Sequence, residues 1–135
     1  MKTKITLGII MLFCLALAGC ADKDAEFKAF TADFEKVTTE TVAKIEANPT
    51  ESGVDEAHAF FDGKKADLKT NWAAIKEARG GQVSQDVLKD FEDGVKRSGE
   101  KVTGVMSKLS EPEALTKYQK LVKDWSAVVG AGGAS

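Results

Sequence analysis

The sequence predicts an all-α protein, an antiparallel up-down four-helix bundle that follows a cleaved signal peptide. Three observations carry this expectation. Apolar residues recur at steps of three and four through four separate segments, the mark of amphipathic helices. No segment alternates apolar and polar residues with the period of two that a half-buried strand needs. Proline and glycine punctuate the chain between the segments. A helix with a single apolar stripe buries it only against other such helices, and short connections make antiparallel neighbours. A three-helix body with a split fourth segment is the alternative. At 135 residues the chain holds one domain at most. It divides into a leader at 1–19, a short tether at 20–23, the bundle at 24–129 and a tail at 130–135.

The leader opens with Lys2 and Lys4, and Ile5 to Ala18 is apolar apart from Thr6 and Gly8. Fourteen positions fall short of the about 20 that span a bilayer but match the core of a secretory signal. The run ends on Leu17-Ala18-Gly19-Cys20. This tetrad resembles the lipobox of bacterial lipoproteins, a leucine and two small residues before an obligatory cysteine. The resemblance covers only the first 20 residues. It implies that the Cys20 thiol receives a diacylglyceryl group and that cleavage before Cys20 leaves it as an acylated N-terminus. It implies a bilayer as the first partner and the bacterial cell envelope as the location. An aspartate directly after the cysteine commonly retains such proteins in an inner membrane, so Ala21 points to the outer membrane, facing periplasm or cell surface. Ala16-Leu17-Ala18 would also suit an ordinary signal peptidase, and plain secretion is the other reading.

Cysteine usage agrees with export without disulfides. Cys14 lies in the leader and Cys20 at its end, so the mature body holds no further thiol and depends on its core for stability. Removing residues 1–19 takes away two lysines and no acid. The basic count falls from 19 to 17 against 21 acids, and the formal charge moves from −2 to −4. A mildly acidic body with interleaved signs argues against nucleic acid as a partner.

The first helix spans 24–47, with Phe27, Phe30, Phe34, Val37, Thr41 and Ile45 on one face and Asp24 suited to cap its start. Asn48-Pro49 ends it, because the residue before proline is pushed out of the α region. The second begins within 50–54 and reaches about residue 78, with Val54, Ala57, Phe61, Leu68, Trp72 and Ile75 inward and Gly80-Gly81 as its stop. The third runs from Ser84, a fitting cap, to Leu109, with Leu88, Phe91, Val95, Val102, Val105 and Leu109 inward. The fourth opens on Ser110-Glu111-Pro112-Glu113, which reads as a capping box with proline in the first turn. Leu115, Tyr118, Val122, Trp125 and Val129 form its stripe. Asp-Phe-Glu at 33–35 and again at 90–92 is too short a repeat to indicate duplication.

Chemistry is sparse. His58 is the only histidine and sits on the flank of the second stripe. It reads as a residue at the edge of the core; its functional readings are a haem ligand with Met106, a metal ligand or a pH switch. Carboxylate pairs such as Glu35/Glu40 and Asp90/Asp93 lack the Glu-x-x-His of di-metal bundles and read as solvated ion-pairing faces. There is no C-x-x-C-H, no G-x-S-x-G and no phosphate-cradling glycine pattern. The expectation is therefore a non-enzyme with no catalytic residues, no metal and no cofactor.

Two features are less ordinary. Gly94, Gly99 and Gly104 lie inside the third helix, where each glycine costs about 1 kcal/mol relative to alanine. They read as points of close approach for a bulky partner such as Trp72 or Trp125, with a groove or indifferent surface positions as alternatives. Phe60 stands about 100° around the helix from Phe61. Either a wide stripe absorbs it, or it is a partly exposed anchor for a protein partner. The functional expectation is a membrane-anchored envelope lipoprotein whose body is a protein-binding or structural module. The alternative is a periplasmic small-ligand carrier or sensor with a cavity between helices.

Overall fold

The computed structural model describes residues 23–78 and 82–130. The leader, Leu17, Ala18, Gly19, Cys20, the Gly80-Gly81 stop and residues 131–135 lie outside the described residues. Four helices follow one another: α1 (Lys23–Ala47), α2 (Glu51–Ile75), α3 (Gln85–Val105) and α4 (Pro112–Val128), with a 3₁₀ turn over Met106–Lys108 after α3. The fourth segment is one continuous helix, so the four-helix bundle holds and the three-helix alternative does not. Among the described residues no helix is long and apolar enough to cross a membrane.

Helix directions follow the up-down-up-down order, and the side-by-side neighbours are α1 with α2, α1 with α3, and α2 with α4. Hydrogen bonds from α1 to α3 and to the 3₁₀ turn that follows it join residues at a constant offset of 62, in the pairs Glu35–Arg97, Thr39–Lys101 and Glu46–Lys108. The same offset joins Asp55 of α2 to Lys117 of α4. A constant offset means parallel helices. The α3–α4 hairpin is thus laid alongside the α1–α2 hairpin, like upon like. In each of these four pairs the second hairpin supplies the cation. Exposed pairs of this kind contribute little each, about 0–1 kcal/mol, but together they specify register. The Asp-Phe-Glu triplets are offset by 57, not 62, and do not sit side by side.

The helix starts tie the two hairpins together. Thr50 caps α2 through Gly53 N–H and Ser84 caps α3 through Val87 N–H, as their residue types lead one to expect. Two expected caps differ. Helix α1 already begins at Lys23, so Asp24 lies in its first turn, and its carboxylate accepts the Ser84 backbone N–H at 2.8 Å. Helix α4 has Glu111, not Ser110, as its N-cap, without a side-chain capping bond. Pro112 in the first turn pushes Glu111 into an extended conformation, one residue beyond the register the capping box needs. The Glu111 carboxylate instead accepts the Glu51 N–H at the start of α2. Each hairpin thereby caps a helix of the other.

The core is aromatic at its centre. Phe27, Phe30, Phe34, Phe61, Trp72, Tyr118 and Trp125 are buried, and Phe91 packs against them from a partly buried position. Trp72 stacks on Phe91 with ring centres 5.1 Å apart, and Phe34 stacks on Trp125 at 5.3 Å. All the expected inward residues of α1 and α2 are buried, with Thr38 and Val42 in addition. On α3 and α4 the buried line is shifted. Val87, Gly94, Ser98, Val102 and Val105 face inward on α3, and Ala114, Tyr118, Leu121, Trp125 and Val128 on α4. Leu88, Val95, Leu115, Val122 and Val129 are only partly buried flanks. On α3 the cause is steric at Gly94, where a Cβ would meet Thr31 and Glu35 of α1 at 2.7 Å.

Candidate functional site

The α2–α4 seam gathers the chemically active side chains. His58 and Asp62 are one turn apart on α2 and so project from one face. Ala57 beside His58 is fully buried, which leaves the imidazole at the edge of the core, where the sequence puts it. Asp124 arrives from α4, carried next to the buried Trp125. His58 Nε2 lies 2.9 Å from Asp124 Oδ2 and 3.8 Å from Asp62 Oδ1. An ionised carboxylate only accepts, so the imidazole nitrogen is the donor to Asp124. Lys65, three residues after Asp62, places its Nζ 3.0 Å from Asp62 and 3.4 Å from Asp124.

Electrostatics follow from this geometry. The hydrogen bond from His58 holds the Asp124 carboxyl below its ordinary pKa, with desolvation opposing it and the Lys65 ammonium adding to it. Lys65 is raised, first by its hydrogen bond to Asp62 and then by the Asp124 charge. One ligand atom each from His58, Asp62 and Asp124 lies within 4.8 Å of the others, a spacing that could hold a metal ion. The sequence conceals this group because Asp124 is 66 positions from His58. The available signal was His58-x-x-x-Asp62 on one helix face; Asp55, three residues before His58, pairs with Lys117 instead.

Phe60 packs against the core from a partly buried position, and the Lys44 ammonium lies 5.1 Å from its ring centre. That contact joins α1 to α2 and covers one face of the ring. The three glycines of α3 separate in role. A Cβ on Gly94 would come within 2.7 Å of Thr31 and Glu35, so α1 and α3 approach through it. Gly99 faces Trp125 at ordinary contact distance. Gly104 meets nothing and lines an open groove of about 440 Å³ between α1 and α3, with Val42, Ala43 and Lys101 among its walls. Met106 is exposed in the 3₁₀ turn. Glu35 pairs with Arg97 and Asp93 with Lys89, solvated ion pairs as expected.

Comparison with protein-family models, with curated protein sequences and with solved structures finds no match to this chain.

Proposed function

We propose that this chain is a bacterial envelope lipoprotein, anchored through acylated Cys20, whose helical body is a non-catalytic protein-binding or structural module. The single observation that carries the reading is the apolar leader ending on Leu17-Ala18-Gly19-Cys20 immediately before α1. Only three Cα–Cα steps separate Cys20 from Lys23, a reach of about 11 Å. An anchor that short keeps the start of α1 close to the bilayer. The opposite end, with the 48–50 and 109–111 turns, then faces away from the membrane and meets partners. More than one acyl chain gives stable anchoring, at about 0.8 kcal/mol per buried methylene.

A module is favoured over a ligand carrier by the aromatic centre. The space between the helices where a small ligand would sit is filled by Phe30, Phe34, Trp72 and Trp125. Phe60, with the Lys44 ammonium over its ring, is an aromatic on the flank of that core with surface to offer a partner. Metabolic palmitate labelling tests the anchor: the wild type incorporates label and Cys20→Ser does not, whereas equal labelling overturns it. Cross-linking in cells tests the module. A reproducible envelope protein is recovered with the wild type and less of it with Phe60→Ala at unchanged helicity; equal recovery removes Phe60 from the interface.

A further inference from the structure

We propose that His58, Asp62 and Asp124 form a binding site for a divalent transition-metal ion of the zinc class, with Lys65 as a built-in competing cation. The donors are of the right kind. Zinc takes imidazole nitrogen and carboxylate oxygen at about 2.0–2.2 Å, so neighbouring ligand atoms in a tetrahedral shell stand about 3.4 Å apart. The two separations from His58 Nε2, 2.9 and 3.8 Å, bracket that value, and all three ligand atoms lie within 4.8 Å. Ligation takes Nε2 without its proton, so on binding the imidazole gives up its hydrogen bond to Asp124 and keeps its proton on Nδ1. His58 and Asp62 share one face of α2, a chelating arrangement within a single helical turn, and Asp124 closes it from α4.

The seam is also built for a cation. Lys65 already directs its ammonium at both carboxylates, at 3.0 and 3.4 Å, so a positive charge is stabilised there. An ammonium on a flexible stem can swing out to solvent, and a doubly charged ion gains more from the same two carboxylates. Three protein ligands leave the fourth position to water, the open arrangement of a three-ligand site rather than the closed shell of a structural one. Side chains that are one-quarter to one-half exposed give the ion a path from solvent.

The test uses the full chain in detergent micelles, stripped with a chelator and titrated with zinc chloride by calorimetry. Proton NMR follows the imidazole signals, which are unambiguous because His58 is the only histidine. The wild type is expected to bind one equivalent with His58 signals saturating at the same point. Asp124→Asn weakens binding by about tenfold or more, as loss of one charged ligand requires, and Lys65→Met strengthens it by about tenfold. Lys65→Met is the decisive variant, because it removes only the competitor. Imidazole signals unmoved by zinc in both the wild type and Lys65→Met overturn the site, as does Asp124→Asn binding with wild-type affinity. Binding that leaves His58 unmoved belongs to another part of the chain and also overturns it.

Discussion

The indole nitrogen of Trp125 donates a hydrogen bond of 2.8 Å to the Thr38 hydroxyl, across the buried interface between α4 and α1. Thr38 in turn donates to the Phe34 carbonyl one turn back, so its single hydroxyl serves as donor and acceptor at once. Both side chains are removed from water, Thr38 at 1 % and Trp125 at 7 % exposure. A buried N–H without a partner costs about 1–3 kcal/mol. Thr38→Val keeps the shape and deletes the acceptor, so urea denaturation is expected to show a loss of about 1–3 kcal/mol. Trp125→Phe removes the donor and ring volume together. The double variant costs less than the two singles combined, by about 0.5–3 kcal/mol, because one hydrogen bond is lost twice in the sum. Full additivity rejects the coupling.

That pair marks the limit of what the chain alone discloses. The period of three and four places Thr41 on the α1 stripe but passes over Thr38, whose burial has its reason in Trp125, 87 positions away. Helix existence, type and order were legible because each stripe is a local pattern. Which helices lie side by side was not. It depends on where Gly94 permits close approach and on acids that cap a helix 60 positions away, as Asp24 does for Ser84 and Glu111 for Glu51. The α2–α4 group was hidden for the same reason: His58 and Asp62 are neighbours on one turn, while Asp124 joins them only through tertiary packing.

Tyr118 responds to alkali in a way that can be read directly, since the chain has one tyrosine. Its hydroxyl donates to the Val102 carbonyl, which is available because the Met106 N–H has turned to Thr103 where α3 tightens into the 3₁₀ turn. Burial pushes the phenol well above its ordinary value of 10.0. A raised folded value means stability that is complete below the unfolded pKa and lost as pH rises above it. Tyrosinate absorbance is therefore expected to stay absent above pH 10 until the helices unfold, and then to appear together with loss of helicity. Ionisation well before unfolding contradicts the burial. Tyr118→Phe strands the Val102 carbonyl and lowers stability by about 1–3 kcal/mol.

Asp24 gives the bundle an acid-side dependence. Its carboxyl lies below the ordinary 3.8, chiefly because the Ser84 backbone N–H, and then the Ser84 hydroxyl, bond to the charged form. A depressed folded value contributes stability above the unfolded pKa that disappears as pH falls through the folded one. Asp24→Asn retains an oxygen acceptor without the charge. The melting-temperature gap between wild type and variant is expected to be constant near neutrality and to close as pH falls below about 4. The effect is small, because the group is at the surface and screened by solvent. A gap that persists unchanged to low pH shows that the charge of Asp24 is not what the Ser84 contact depends on.

Two glycines of α2 separate helix propensity from packing within one helix. Alanine replaces glycine in a helix interior with a gain of about 1 kcal/mol when nothing obstructs it. At Gly63 a Cβ meets no atom within 4 Å, so Gly63→Ala is expected to raise the unfolding free energy by about 0.5–1 kcal/mol. At Gly53 the same Cβ falls 1.7 Å from the Asn48 backbone carbonyl, far inside contact distance. That carbonyl also accepts the Thr50 N–H in the turn joining α1 to α2, so it cannot retreat without breaking the turn that presents the Thr50 cap. Overpacking of about 1–3 kcal/mol, with loss of the cap in addition, outweighs the propensity gain. Gly53→Ala therefore destabilises while Gly63→Ala stabilises, and denaturation midpoints that move the same way for both refute the close packing of Gly53 against the Asn48 carbonyl of the turn.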